Sequence, residues 1–379
     1  MVSPSATLLE ALSPIASRFA LPAPVVEISP LGRGNVNDTY LVVTAGKEAQ
    51  RFVLQKINQR VFPRCDLVMQ NIQQLVEHGE LLAKSPNSWL HGERWQVPRT
   101  VAVPENGQTW LEVEGETWRL LTFVEKAHSL EILSTPVQAR EIGRGLGLFH
   151  RLVSGMPAAE LHDTLPGFHI TPLYLQNFKS SLAQARSSQA LQANQELEAC
   201  LAFVAEREQL APVLEAARER GELRQRPIHG DPKINNVMLC SESGCAIALV
   251  DLDTVKPGLL HYDIGDCCRS ACNPLGEETR DFSSVVFDLE RCEAILEGYC
   301  GAVGDTLSAQ DFNYIYTAIR LISFELGLRF LTDHLAGNTY FKVSRPGHNL
   351  DRARVQFQLT KSIESQQIQI EAIIEKLRR

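Results

Sequence analysis

The chain has 379 residues, 44% of them hydrophobic, enough for one large or two modest domains with a substantial buried core. A formal charge of −8 and the absence of any Lys/Arg run argue against a nucleic-acid partner or a polybasic tail. No stretch of 18 apolar residues occurs, so no membrane partner is expected. Glu10 interrupts the N-terminal apolar stretch, and no Lys or Arg precedes it, which argues against a signal peptide and for a cytoplasmic location.

In chain order, Leu8, Leu12, Ile15 and Phe19 recur at helical spacing and predict a short amphipathic helix. Val25 to Ile28 reads as a strand. The run Leu31-Gly32-Arg33-Gly34-Asn35-Val36-Asn37-Asp38 follows, then a second strand through Val43. Its glycines suit either a phosphate-approaching loop or a plain hairpin. It lacks the third glycine and the following helix of a dinucleotide fingerprint, and no GxxxxGK[ST] occurs anywhere. Arg51 to Ile57 is the returning strand, and residues 64–82 are predicted helical. Residues 97–124 read as a β-meander turning at Glu105-Asn106-Gly107 and Glu114-Gly115-Glu116.

Beyond Ser129 the character is helical. Ile142, Leu146, Leu148 and Phe149 form one apolar face; Gly143, Gly145 and Gly147 are read as permitting close helix packing, and His150 as a core histidine. Residues 172–220 are Gln/Ala/Glu-rich helical segments, and further helices are predicted over 278–300, 308–336 and 348–378. The nine cysteines are odd in number and scattered. Cys267, Cys268 and Cys272 lack paired zinc-site spacing and read as buried free thiols.

The chemistry concentrates at residues 228–266. Asp231 and Asn236 lie five apart around a Pro-Lys turn between two apolar runs, so one loop carries a carboxylate and an amide. Ala246 to Val250 reads as a buried strand delivering Asp251 at its end. These hard oxygen donors suit magnesium, and Lys233 adds a positive charge for a phosphate. Phosphoryl transfer needs this layout: one carboxylate orients the attacking hydroxyl, while an Asn and a second Asp hold metal on the phosphates.

His229-Gly230-Asp231 with Asn236 and Asp251 resembles the catalytic loop and metal site of the aminoglycoside phosphotransferase and choline kinase superfamily. Asp251-Leu252-Asp253-Thr254-Val255-Lys256-Pro257-Gly258 with Tyr262-Asp263-Ile264-Gly265-Asp266 is similar, more narrowly, to the N-acetylhexosamine 1-kinases. The resemblance implies a two-lobed, protein-kinase-like α+β fold: a small β-rich N-terminal nucleotide-binding lobe, residues 1–125, and a large helical catalytic and acceptor lobe, residues 126–379. It implies ATP and Mg2+ as cofactors, with Asp231 orienting the acceptor hydroxyl and Asn236 and Asp251 holding the metal.

Gly32, Gly34 and Asn37 would then belong to a phosphate lid, and Lys56 to the strand position that contacts nucleotide phosphates. No Glu partner for Lys56 is assigned, since Met69-Gln70-Asn71-Ile72 fills the facing turn and Glu77 lies two turns later. Thr122 and Val124 would lie in the hinge that binds adenine through its backbone. Asp253 would assist the metal or the acceptor, and Asp263 would brace the catalytic loop. From spacing alone, Arg329 and Asp333 at i and i+4 predict an intrahelical salt bridge, and Tyr340 a core aromatic. The resemblance instead implies that Arg329 and Tyr340 line a sugar pocket, with Asp333 near them. No APE-like segment follows Asp251, which favours a small-molecule acceptor. The implied reaction is phosphorylation of the anomeric hydroxyl of an N-acetylhexosamine. Its rivals are a kinase of another alcohol (aminoglycoside, choline or another sugar) and a non-catalytic nucleotide-binding regulator.

Overall fold

The computed structural model describes residues 4–32, 36–187 and 194–378. The fold is the expected kinase-like α+β arrangement. It divides into two compact units: Met1–Ala127 with Leu161–Leu165 and Val250–Lys256, and His128–Glu160 with Pro166–Leu249 and Pro257–Arg379.

The first unit is built on a five-stranded antiparallel sheet, in spatial order Val25–Pro30, Asp38–Thr44, Arg51–Ile57, Glu116–Thr122, Trp110–Val113. Alternation along Arg51–Ile57 sends Phe52, Leu54 and Lys56 to one face and Val53 and Gln55 to the other. On the first face, Ile28, Val42, Phe52, Leu54, Trp118 and Leu120 form a core with Leu12 and Ala16 of the helix Pro4–Ala16 and with Phe19 just beyond it. On the second face, Arg119 reaches Met69 of the helix Cys65–Lys84. Residues 97–103, expected as a strand, make only an isolated bridge at Thr100. Pro98 and Pro104 bracket that segment and remove donors from it.

The second unit is helical around a small antiparallel ribbon, Val237–Cys240 with Ala246–Leu249. The helices Pro136–Val153 and Leu289–Ala302 approach at backbone distance. A Cβ at Gly143 would strike the Ile295 carbonyl, one at Gly298 the Arg140 carbonyl, and one at Gly147 would come within 2.6 Å of the Tyr299 carbonyl. Three predicted helices are interrupted. Residues 278–288 are not α-helical, and that helix is Leu289–Ala302; the next breaks into Ala309–Phe312 and Ile315–Leu335, and the last into His348–Ser365 and Gln367–Leu377. Cys267, Cys268 and Cys272 are free and buried. No helix among the described residues is long and apolar enough to cross a membrane.

Candidate active site

In the second unit the strand Arg226–Ile228 runs into the loop His229–Asn236. Gly230 turns with φ 88°, in the left-handed region that glycine adopts without strain. The Asp263 carboxylate accepts the amide N–H of His229 at 2.7 Å, that of Gly230 at 2.8 Å, and the Nε2 side of the His150 ring at 2.9 Å. Burial pushes the Asp263 carboxyl up, but His150, His229 and these bonds outweigh it and hold it below the usual aspartate range. His150 is fully buried and also bonds the Tyr299 hydroxyl, as a core histidine should.

The Asp231 carboxylate receives the Lys233 ammonium at 2.7 Å and, more weakly, the Asn236 amide at 3.3 Å. Burial pushes Asp231 up, and the Lys233 charge and hydrogen bond overcome it, so the group stays ionised below its ordinary value. The Asn236 amide nitrogen also donates to the Asp231 carbonyl at 2.7 Å. That orientation turns its other end, the carbonyl oxygen a cation would take, away from the Asp231 carbonyl.

Arg329 sits on the helix Ile315–Leu335, its guanidinium carbon 5.1–5.9 Å from the ring centres of Phe168, Tyr174, Tyr340 and Phe341. These are cation–π distances. The charge of Asp231 is close enough to act on Arg329. Burial pushes the Tyr174 hydroxyl up to about 12. Tyr340 is 54% exposed, so it is not a core aromatic.

In the first unit, Asp251 is exposed and takes φ 65°, ψ 57°, a left-handed conformation that Asp tolerates better than most residues. Asp253, two residues on, is 2% exposed. One of its oxygens lies 2.5 Å from Arg119, itself 1% exposed, and the other accepts the Asn37 amide at 2.7 Å. Asn37 in turn accepts the Asn58 N–H at 2.9 Å, and Arg119 donates twice to Gln55 at 2.7 and 2.9 Å. Asn71 of the helix Cys65–Lys84 donates to the Val255 carbonyl at 2.8 Å, and Thr164 donates to the Asp253 carbonyl at 2.9 Å. The segment carrying Asp251 is thus tied to the Gln55/Arg119 face of the sheet.

Residues 27–287 match the model of the phosphotransferase enzyme family. The chain belongs to that family. Among solved structures it resembles an aminoglycoside phosphotransferase from Alicyclobacillus acidocaldarius, at 14% identity and TM-score 0.57, over 94% of this chain and 95% of that one. A microcompartment-associated aminopropanol kinase shares 16% identity at TM-score 0.57, over 96% and 98% of the two chains. The amicoumacin kinase hAmiN, in complex with AMP-PNP, Ca2+ and Ami, shares 12% identity at TM-score 0.57, over 94% and 93%. At these identities the likeness is one of fold. This chain is therefore a phosphotransferase of that family.

Five of the expected site residues are held in other contacts. Lys56 lies on the face opposite Gln55 and Arg119, paired with Asp38 at 3.3 Å and Glu116 at 3.8 Å. It points away from the segment that carries Asp251. A buried cation on the Asp251 side is Arg119, and its partner is Asp253 from a distant loop.

Asn37 and Asp253, expected at nucleotide and at metal or acceptor, instead bond each other inside the first unit. Asp333 does not pair with Arg329. It accepts the amides of Thr339, Tyr340 and Phe341 at 2.8–2.9 Å and the Asn349 side chain at 2.8 Å, and is only 5% exposed. Asp333 therefore shapes the turn that presents Tyr340 and is not available to a substrate. Lys233, expected at a phosphate, is held on Asp231.

Gly32 has φ 71° with open space around it, and Gly34 lies outside the described residues. The Thr122 amide is taken by the Arg99 carbonyl at 2.8 Å, which leaves Val124, beyond the strand end, as the hinge candidate of the two.

Sequence reasoning missed Arg119, Asn71, His169 and Glu325. Arg119 carried a signal, a charge in the middle of the otherwise uncharged run Thr117 to Val124. The other three have none without the topology.

Proposed function

We propose that this phosphotransferase uses a nucleoside triphosphate, ATP, to phosphorylate a sugar hydroxyl, with the anomeric hydroxyl of an N-acetylhexosamine as acceptor and the sugar 1-phosphate as product. Residues 1–125 would serve the nucleotide, and residues 126–379 the acceptor and the catalytic loop. Asp231 carries the reading: a carboxylate held ionised by Lys233, on a loop whose two preceding amides are clamped by Asp263. In a loose phosphoryl-transfer transition state little proton abstraction is needed early. An anionic, fixed Asp231 suffices to orient the hydroxyl in line and to accept its proton late.

The Asn236 carbonyl oxygen and the Asp251 carboxylate are the hard donors that would hold magnesium, and the ion would supply neutralisation of the phosphate charge. The nucleotide and divalent cation bound to the similar amicoumacin kinase support that choice. Val124 would offer its backbone to the adenine, and Gly32 and Gly34 would cover the phosphates.

The sugar reading rests on Arg329 and Tyr340. Four aromatic rings around one guanidinium offer flat apolar faces for a pyranose, and the guanidinium offers donors for hydroxyls or an acetamide carbonyl. The same positive charge disfavours the cationic acceptors, aminoglycosides and choline. An acceptor panel with ATP tests the proposal. Turnover should be stimulated by N-acetylhexosamines, and D231N should lose about two to four powers of ten in kcat with ATP affinity little changed. Stimulation by amines alone would overturn the sugar, and an active D231N the mechanism. ATP binding without turnover on any acceptor would favour a regulator.

A further inference from the structure

We propose that His169, protonated at neutral pH, is a brace for the catalytic loop, with Glu325 as its counter-ion, and that this pair positions Asp231. The proposal rests on the reading of Asp231 as the group that orients the acceptor. His169 lies in the segment between Pro166 and Thr171, in the second unit, with φ 64° and 3% exposure. Its Nδ1 is 2.9 Å from Glu325 Oε1, and its Nε2 is 2.8 Å from the carbonyl oxygen of Gly230. A carbonyl accepts only, and so does a carboxylate. A neutral imidazole has one N–H and can satisfy one of these partners; the imidazolium satisfies both.

The surroundings agree. Glu325 is 1% exposed, and its second oxygen accepts the Thr171 hydroxyl at 2.6 Å, as an ionised carboxylate would. On the helix Leu260–Ala271, Tyr262 stacks on the His169 ring at 5.4 Å and donates its hydroxyl to Glu215. Asp266 of that helix, paired with Arg269 at 2.8 Å, adds negative potential. Arg329, one turn from Glu325 on its helix, feels the same carboxylate. Burial disfavours the His169 charge, but Glu325, Asp266 and the Gly230 carbonyl outweigh it and hold the proton above the ordinary histidine value.

Asp263 thus fixes the amides of His229 and Gly230, and His169 fixes the Gly230 carbonyl. Three backbone groups immediately before Asp231 are pinned from two sides. When the ring loses its proton, the one that remains stays on Nδ1 against the Glu325 charge, and the Gly230 carbonyl is left without its donor. Because the folded value is raised, the brace is intact at low and neutral pH and fails as pH rises through that value.

The test uses the full-length protein. With 15N-labelled histidine, both ring nitrogens of His169 should be protonated at pH 7; a neutral tautomer overturns the proposal, and this measurement needs no variant to fold. H169Q should lower kcat about ten- to a hundredfold through a displaced Asp231, while KM for ATP moves less than about twofold. In E325Q the amide can donate to an unprotonated Nδ1, leaving Nε2–H on Gly230 at every pH. The alkaline fall in kcat should flatten in that variant. An E325Q profile superposing on the wild type refutes the brace. A charged His169 with an active D231N would leave the brace standing and remove the role given to Asp231.

Discussion

Replacing Arg119 by methionine removes one partner of a buried ion pair and leaves the other in place. At 2.5 Å and an effective dielectric of about 20, the bare attraction between Arg119 and Asp253 is roughly 6–7 kcal/mol. Desolvating two buried ions opposes it by several kcal/mol, so the pair as a whole contributes much less than that. R119M keeps the desolvation of Asp253 and discards the attraction. The Asn37 amide is then the side-chain donor left to that carboxylate among the described residues. The expected loss is about 3–5 kcal/mol, the range for breaking a buried pair from one side. Urea unfolding followed by tryptophan emission reads it, since Trp118 neighbours Arg119 in the same strand. R119M/D253N, with no charge left unpaired, should recover part of the loss. MgATP affinity should fall in R119M, because Asp251 shares the loop that the pair anchors. An R119M protein within about 1 kcal/mol of wild type would refute the reasoning, placing the change among ordinary surface substitutions.

R329A should raise the KM for N-acetylhexosamine about tenfold or more through lost charged hydrogen bonds and spare the KM for ATP; steady-state kinetics with each substrate varied decides it. K233M removes the ammonium that keeps Asp231 ionised. In the wild type that carboxylate is depressed, so its contribution is present at neutral pH and lost only as pH falls through the lowered value. The acid limb of kcat should therefore move to higher pH in K233M, and an unmoved limb would show that Lys233 does not set the Asp231 charge. G143A drives a methyl into the Ile295 carbonyl and should cost about 1–3 kcal/mol in thermal unfolding, whereas G244A, in open space at φ 74°, should show only its backbone strain.

Much of the loop chemistry was legible because it is local. Asp231, Lys233 and Asn236 are close in sequence and meet within one turn, and Gly143 and Gly147 announce a close helix contact by composition alone. Lys56 lies on the face opposite Arg119 for a geometric reason. A strand alternates faces every residue, so the position that matters differs from its neighbour by one, and nothing in Gln55-Lys56 says which side the partner helix covers. Arg119 and Asp253 are 134 positions apart, and only strand pairing joined to the Val250–Lys256 crossing brings them together. Asp333 was legible as a helix residue at the right spacing for Arg329, but the helix ends at Leu335, and the turn beyond it folds back to claim the carboxylate.

That separation in sequence also sets an order of events during synthesis. The sheet of the first unit is complete in the chain by Thr122, yet the carboxylate that balances its buried guanidinium lies at residue 253. At about 5–20 residues per second, the ribosome takes roughly 7–26 s to cover that interval. For that time the nascent sheet carries an unbalanced cation on one face, open to water or to a chaperone, and the first unit closes only after the helices from Pro136–Val153 to Val213–Glu219 have been made.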